Sequence, residues 1–251
     1  MKIVVIGGTG LIGSRLVASL KHLGHEAIPA APNTGVNTLT GEGLAEVLTG
    51  TQVVVDVANS PSFEDDAVLS FFQTAGRNLL AAEQVAGVRH HVALSVVGAD
   101  RLEASGYMRA KVAQEALIKA SPVPYTILRS TQFFPFIAGI IQSGALDGEV
   151  HLSSALVQPI HADDVVDALT DIVVGPPANG TIEIAGPEAI QINRFAEEYM
   201  SAKGDPRQVV ADAGALYFGA VLTDGSLTPG ANPRLGKVTV EDWLREEMPA
   251  D

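Results

Sequence analysis

Tyr107 and Lys111 stand four residues apart in the segment Tyr107-Met-Arg-Ala-Lys111, which begins a helical pattern. On a helix this spacing puts the phenol and the ammonium on the same face. A neighbouring cation favours the phenolate, so it lowers the pKa of a tyrosine from its ordinary value of about 10. The pair therefore predicts a group that gives or takes a proton near neutral pH. The alternative is that Tyr107 only caps or packs the helix while Lys111 is solvated.

A glycine-rich turn near the start of the chain follows an apolar strand and opens an amphipathic helix, in the segment Gly7-Gly8-Thr9-Gly10-Leu11-Ile12-Gly13. The first glycine of such a turn permits the sharp bend, the second lets backbone amides approach an anion, and the third lets helix and strand pack closely. The helix N-terminus then faces that anion. The turn is predicted to hold the pyrophosphate of a dinucleotide through Gly7, Thr9, Gly10, Leu11, Ile12 and Gly13. An ordinary glycine turn is the alternative.

The elements that must position these residues alternate between short β-branched runs and longer helical patterns, which is typical of a parallel sheet covered by helices on both faces. The predicted strands are Lys2–Ile6, Glu26–Pro29, Gln52–Val57, His91–Ser95 and Tyr125–Leu128. The predicted helices are Leu11–Leu23, Gly43–Leu48, Ala67–Ala86 and Tyr107–Ala120. The pattern indicates an α/β fold, a doubly wound parallel sheet of the Rossmann type.

The second half of the chain is less regular. It predicts a helix over Phe134–Gly144, a helix opened by His161-Ala-Asp-Asp, a strand over Thr181–Ala185 and a helix over Asn193–Lys203. We interpret residues 1–251 as one domain in which residues from about 130 onward contribute a small substrate lobe over the carboxyl ends of the strands. The stretch Leu222–Pro233 is predicted to be mobile or to cover the site.

Composition limits the classes of function. The chain has 251 residues, 47% of them apolar, and a net charge of −13, which opposes broad attraction to nucleic acid or anionic lipid. It contains no Cys, which excludes thiolate metal sites and cysteine nucleophiles. Its N-terminal apolar run is too short to span a membrane and lacks a signal-peptide cleavage site, so we expect a cytoplasmic protein without nucleic acid or membrane partners.

The GxxGxxG spacing of the turn resembles the extended and atypical short-chain dehydrogenase/reductase families, including the NmrA-like proteins. Val92-Ala-Leu-Ser-Val-Val-Gly98 resembles the family strand that ends in a serine. Further resemblance lies in Asn78-Leu-Leu-Ala-Ala, Ala86-Gly87-Val88, Pro159-Ile-His161-Ala-Asp-Asp and Ile184-Ala-Gly-Pro-Glu188. The likeness covers about residues 1–203, and the last 48 residues match no such pattern.

This resemblance implies an NAD(P)-dependent oxidoreductase with a catalytic set of Ser95, Tyr107 and Lys111. Ser95 would orient a substrate carbonyl, Tyr107 would exchange the proton, and Lys111 would tune Tyr107 and hold the nicotinamide ribose. The implied reaction is reversible hydride transfer to a small apolar aldehyde, ketone or quinone. The alternative is a non-catalytic NmrA-like protein that senses the dinucleotide and associates with a partner. Dimers are common among relatives, which leaves a homodimer possible by analogy alone.

The choice of dinucleotide depends on the end of the second strand, where an acidic side chain would bind the ribose hydroxyls of NAD and repel the 2′-phosphate of NADP. The segment Pro29–Gly35 has no acid. Arg15 can reach a 2′-phosphate, with help from Asn33 and Thr34, which favours NADP and leaves NAD possible. An exposed Arg15 without a ligand is the alternative. Ala58 and Asn59 are expected to line the adenine and ribose part of the site.

The substrate side is expected around the segment Arg129-Ser-Thr-Gln-Phe-Phe-Pro135. The predicted contacts are Thr131 to the nicotinamide carboxamide, Gln132 to the carboxamide or substrate, and Phe63, Phe133 and Phe134 as apolar walls. Ordinary core packing is the alternative for the phenylalanines. His161 with its two following acids is interpreted as a capped helix start, so no metal is expected.

Overall fold

The computed structural model of the chain describes residues 1–247. Strands and helices alternate through the first half as β1 (Lys2–Ile6), α1 (Leu11–His22), β2 (Glu26–Ala30), α2 (Leu44–Leu48), β3 (Val53–Asp56), α3 (Asp65–Ala86), β4 (His90–Val96), α4 (Gly106–Ala120) and β5 (Tyr125–Ser130). The second half adds α5 (Ile137–Ser143), β6 (Ala145–Leu146), β7 (Glu149–Leu152), β8 (Leu156–Val157), α6 (Ala162–Val174), β9 (Gly180–Ala185), β10 (Ile190–Gln191), α7 (Ile192–Ala202), β11 (Val209–Ala211), β12 (Arg234–Leu235) and α8 (Val240–Glu247).

Seven strands form one parallel sheet in the order β12-β9-β5-β4-β3-β1-β2. Strands β1 and β3 contain the continuous apolar runs Ile3–Ile6 and Val53–Val55, because helices cover both faces of the sheet and bury these side chains. The chain reverses its direction of winding between β1 and β3. A ligand crevice opens at such a reversal, outside the carboxyl ends of the strands. The predicted fold class is confirmed.

The second half of the chain divides between this sheet and a smaller lobe. Strands β9 and β12 extend the sheet beyond β5, and α6 packs against α1. The remaining elements, including the sheet β11-β7-β6 and the pair β10-β8, form the lobe. Its core includes Phe134, Phe195 and Trp243. The predicted helix over Phe134–Gly144 begins instead as a 3₁₀ turn at Phe134–Phe136, with Pro135 near its start, before α5 follows.

The stretch Leu222–Pro233 packs against the loop that follows β4. Leu227 is fully buried, and Arg101 donates hydrogen bonds to the carbonyl oxygens of Gly225 at 2.5 Å and Thr228 at 3.0 Å. These contacts fix the stretch on that loop, and none of its residues lines the cleft described below, so a cover over the site stays a prediction. No helix within residues 1–247 is long and apolar enough to cross a lipid bilayer.

Candidate active site

A cleft of about 670 Å³ runs along the carboxyl ends of the central strands. It brings together residues predicted from distant parts of the sequence, which are Gly7, Thr9, Gly10, Leu11, Ile12, Gly13, Ala58, Asn59, Ser95, Tyr107, Lys111 and Phe133. Ser130, at the end of β5, also lines it. The glycine turn and the Tyr107–Lys111 helix therefore face one continuous space.

The glycine turn has the geometry that a pyrophosphate requires. Gly7 has a φ of +77°, and a Cβ atom there would lie 2.8 Å from the backbone of Ala58. A Cβ on Gly13 would lie 2.2 Å from the carbonyl oxygen of Gly7, so close packing of helix and strand depends on that glycine. A Cβ on Gly10 would meet only the same oxygen, at 3.3 Å. Gly10 caps α1 without a side-chain cap, and the first turn of α1 has no acid, so its amides suit an anion.

The loop after β2 lines the end of the cleft where the adenosine is predicted to lie. Thr9 Oγ1 donates a 3.3 Å hydrogen bond to Asn33 Oδ1, which links the glycine turn to this loop. The cleft is also lined by Asn37, Thr38 and Leu39, which sequence analysis missed. Asn78 of α3 holds that segment by donating to the carbonyl oxygens of Thr38 and Leu39, at 2.9 and 3.0 Å.

Arg15 differs from its expected position. Its Nη1 lies 2.5 Å from Oδ1 of Asp163, in the first turn of α6, and Arg15 does not line the cleft. Both side chains are partly exposed, so water screens the attraction between them. The predicted contact with a 2′-phosphate would require Arg15 to leave this ion pair.

Tyr107 lies in an aromatic corner of the cleft. Its ring centre is 5.6 Å from that of Phe63 and 6.2 Å from that of Phe72. Burial raises the pKa of Tyr107 to about 12, so the expectation of a lowered pKa is wrong for the free protein. The charge of Lys111 does not offset this burial. The phenol is therefore protonated at neutral pH and suits a proton donor.

Lys111 is 2% exposed and its ammonium is directed to groups other than Tyr107. Nζ donates to the carbonyl oxygen of Leu94 at 2.9 Å and to Oε1 of Gln114, and it lies 4.5 Å from the centre of the Phe72 ring. Burial lowers the pKa of Lys111 to about 8, against the opposing charges of Asp56 and Glu115.

Ser95 lines the cleft, but its hydroxyl takes part in a buried network. Oγ donates a 2.7 Å hydrogen bond to Oε1 of Glu115, and Arg129 donates to both oxygens of the same carboxylate at 2.8 Å. Burial alone would raise the pKa of Glu115, but the hydrogen bonds from Arg129 and Ser95 hold this pKa below its ordinary value. The Ser95 proton is thus committed to Glu115. This arrangement does not support the interpretation that Ser95 donates to a substrate carbonyl.

Of the three phenylalanines predicted to contact the substrate, two lie at the cleft and one lies in the core of the lobe. Phe133 lines the cleft, and Phe63 is 62% exposed beside Tyr107. Phe134 is fully buried and stacks on Trp243 with ring centres 5.1 Å apart, so its prediction as a substrate wall is wrong. The lobe needs this large side chain for its own core.

Thr131 and Gln132 are buried next to the cleft without lining it. The buried Thr131 hydroxyl has no hydrogen-bond partner within residues 1–247, and the Gln132 amide lies close enough to the Tyr217 phenol to interact with it. Sequence analysis missed Tyr217, whose buried phenol lies near this amide and near Tyr107: burial and Tyr107 raise the pKa of Tyr217, and Gln132 opposes the rise. The only sequence signal for Tyr217 was an aromatic residue in a segment without recognisable pattern.

The interpretation of His161 agrees with the structure. His161 is the N-cap of α6, where Nδ1 accepts a 3.3 Å hydrogen bond from the backbone amide of Asp163, so the interpretation as a capped helix start is confirmed. His90 and His91 are buried in β4 and bond to Thr126 and Glu83. They serve the packing of the sheet.

A parallel Rossmann sheet with a glycine turn at its reversal, and a Tyr-x-x-x-Lys helix along the same cleft, define the short-chain dehydrogenase/reductase class. Comparison of the sequence with protein families agrees: residues 7–172 match the model of the NAD(P)H-binding family. The chain belongs to this family. The resemblance to extended and NmrA-like members is confirmed, and with it a nicotinamide dinucleotide as the cofactor.

Curated relatives have different functions. One is the photosystem II assembly factor Ycf39 of Cyanophora paradoxa, 26% identical over 153 residues that cover 55% of this chain and 48% of the relative. Another is a (4-alkanoyl-5-oxo-2,5-dihydrofuran-3-yl)methyl phosphate reductase of Streptomyces griseus, 26% identical over 222 residues that cover 81% of this chain and 74% of the reductase. The chain thus spans about half the length of the Ycf39 protein it matches.

Solved structures share the fold. MoeE5 in complex with UDP-glucose and NAD superimposes with a TM-score of 0.76 at 19% identity, covering 98% of this chain and 96% of MoeE5. The dTDP-4-dehydrorhamnose reductase of Bacillus anthracis in complex with NADP gives a TM-score of 0.68 at 17% identity, covering 89% and 90% of the two chains. At these identities the likeness extends to the fold and not to the substrate.

Proposed function

We propose that the protein is an NADP-preferring oxidoreductase that interconverts a small apolar carbonyl compound and its alcohol, with Tyr107 as the proton donor. The observation that carries this proposal is that Tyr107 and Lys111 line the same cleft as the glycine turn. A dinucleotide held by that turn would share the cleft with the two side chains. Bound NADPH would supply a hydride from nicotinamide C4 to the carbonyl carbon.

The chain's own groups complete the reduction. Tyr107 Oη gives its proton to the carbonyl oxygen as negative charge develops there, and the carbonyl becomes an alcohol. A phenol with a raised pKa still protonates an alkoxide, which is the stronger base. Lys111, with an ammonium donor beside the cleft, is assigned to the nicotinamide ribose. Ser95 enters as a positioning residue that acts through Glu115.

The preference for a small apolar substrate rests on the side chains around Tyr107. Phe63 lies against its ring, and Leu94, Val96 and Phe133 line the neighbouring wall of the cleft. No carboxylate lines the cleft within the described part of the chain, which removes the group that would select against a 2′-phosphate. Gln132 is assigned to a polar group of the substrate, because its buried amide follows β5 beside the cleft, next to the phenol of Tyr217.

A carbonyl panel of aldehydes, ketones and quinones, assayed with NADPH and NADH, tests the proposal. Tyr107→Phe should retain NADPH binding and lose at least about a hundredfold in kcat. Tyr125→Phe is the matched control, because Tyr125 begins β5 at the opposite end of the sheet. Unchanged turnover in Tyr107→Phe would refute the assignment of Tyr107.

A second candidate function is that of a dinucleotide-sensing protein that associates with a partner. The observation in its favour is the commitment of the Ser95 hydroxyl to Glu115, which leaves the usual carbonyl-orienting donor engaged. The name of the Ycf39 relatives, assembly factors, accords with a role of this kind. NADPH binding of normal affinity without turnover of any carbonyl in the panel would favour this candidate over the oxidoreductase.

A further inference from the structure

A buried chain of polar side chains leads from the cleft to the end of β3. Lys111 Nζ donates to Oε1 of Gln114, and Nε2 of Gln114 donates to Oδ2 of Asp56 at 2.9 Å. The other carboxylate oxygen of Asp56 accepts from the backbone amide of Ala58 at 3.1 Å. The side chains of Lys111, Gln114 and Asp56 are all more than nine-tenths buried. None of the sequence patterns pointed to Gln114 or Asp56.

The direction of each bond in this chain is fixed by the chemistry of its ends. An ammonium only donates and a carboxylate only accepts, so the amide between them must turn its oxygen to Lys111 and its nitrogen to Asp56. An ammonium has three donors. Two of them are used, by Leu94 and Gln114, which leaves one for the cleft that Lys111 lines.

The charge of Lys111 has few other sources of support. Glu115, one turn along α4, is held by Arg129 and Lys119, so its negative charge is already balanced. The buried Glu83 and His91 form their own pair, at 2.8 Å. Among the carboxylates that act on Lys111, Asp56 is the one joined to it through hydrogen bonds.

We propose that Gln114 is a positioning residue for Lys111, and that Asp56 acts through the Gln114 amide to keep the ammonium charged and directed at the cleft. The inference rests on the proposed function in that it assigns this ammonium to the nicotinamide ribose. Burial lowers the pKa of Lys111 to about 8, so at neutral pH the protonated form depends on its hydrogen-bonded surroundings.

The test is the titration of Lys111 in the free protein, followed by carbon-13 NMR of lysine Cε and assigned with Lys111→Met. Gln114→Met keeps the length of the side chain and removes both hydrogen bonds. Asp56→Asn removes the charge and lets the amide of Gln114 turn over, which presents a donor to the ammonium. Each variant should lower the midpoint of the Lys111 titration by about one pH unit.

The decisive variant is the double exchange Asp56→Asn with Gln114→Glu. It moves the carboxylate next to Lys111 and lets the new amide at position 56 donate to that carboxylate, so the hydrogen bonds and net charge are restored. Its midpoint should return to the wild-type value or exceed it, which a merely structural role would not produce. Gln84→Leu, on the exposed side of α3, is the control for loss of an amide.

The outcomes separate the two proposals. A midpoint that stays at the wild-type value in both single variants, or that the double exchange does not restore, overturns the positioning role. In step with the midpoint, NADPH affinity in the single variants should fall about twofold at pH 7 and roughly tenfold at pH 9. If the midpoint shifts as expected and NADPH affinity does not, the positioning role stands and the assignment of Lys111 to the cofactor fails.

Discussion

The hydroxyl of Ser95 donates a 2.7 Å hydrogen bond to Oε1 of Glu115, and so ties β4 to the helix that carries Tyr107 and Lys111. Arg129, from β5, donates two hydrogen bonds of 2.8 Å to the same carboxylate, and its remaining nitrogen donates to Asp100. Two strand ends and one helix are thereby locked together beneath the cleft. Ser95 is predicted to contact the substrate. In the structure its hydroxyl instead holds α4, the helix that carries Tyr107.

Ser95→Ala should therefore act on stability more than on chemistry. Removing the hydroxyl costs a buried hydrogen bond to a charged group, about 1–3 kcal/mol of unfolding free energy, while Arg129 still neutralises Glu115. Urea unfolding of Ser95→Ala beside Tyr107→Phe measures the difference. In the same pair, kcat should fall far more in Tyr107→Phe. A loss of kcat in Ser95→Ala equal to that in Tyr107→Phe, with stability unchanged, would restore Ser95 to the reacting centre.

Two alanine substitutions in the glycine turn should separate cofactor binding from folding. Gly10→Ala adds a methyl group whose nearest neighbour is 3.3 Å away, at the mouth of the cleft, so it should weaken dinucleotide binding and leave the melting temperature nearly unchanged. Gly13→Ala places its methyl group 2.2 Å from the Gly7 carbonyl oxygen. It should lower the melting temperature, although alanine favours a helix by about 1 kcal/mol over glycine. Thermal melts and NADPH titrations of both proteins check this, and equal melting temperatures would contradict it.

The fold could be predicted because its signals are local. Strand β1 is a buried apolar run, and α1 repeats its apolar residues with the period of a helix. A glycine turn separates the two. The lobe could not be predicted in this way. Its strands β6 and β8, like the edge strand β12 of the main sheet, have two residues each, too few to show a period, and they form only because other segments pair with them.

The same difference between local and long-range signals applies to the candidate active site. The cleft positions of Tyr107 and Lys111 follow from spacing along one helix, which the sequence displays directly. The partners of Ser95 and Lys111 do not, because Glu115 is 20 residues from Ser95 and Asp56 is 58 residues from Gln114. The predicted lowering of the Tyr107 pKa is wrong for the same reason. Its value depends on burial beside Phe63 and Phe72, and spacing along α4 carries no information about burial.

Arg15→Ala should discriminate between the two dinucleotides. If Arg15 exchanges Asp163 for a 2′-phosphate, the substitution should weaken NADPH binding roughly tenfold and leave NADH binding nearly unchanged, because only NADPH carries that phosphate. The exposed ion pair with Asp163 is worth at most about 1 kcal/mol, so a phosphate can displace it. Fluorescence titrations of both cofactors measure the effect, with Lys21→Ala at the other end of α1 as the control. Equal losses for NADPH and NADH would remove Arg15 from the basis of NADP preference.

His90 should make the stability of the protein fall in mild acid. It is buried in β4 beside Thr126, and burial, with a smaller effect of His91, lowers its pKa to about 4. Between that value and about 6.5, the unfolded chain binds a proton that the folded protein does not, so stability is lost as the pH falls through this window.

His90→Gln keeps a polar partner for Thr126 and does not titrate. From pH 7 to pH 4, the unfolding free energy of the wild type should therefore fall by about 3 kcal/mol more than that of the variant. Taking this difference cancels the opposite contribution of His91, whose pKa, despite its burial, is raised in both proteins by Glu83. Urea unfolding across this range decides the matter, with His22→Gln as the surface control, and a difference that does not vary with pH would mean that His90 takes up its proton in the folded protein.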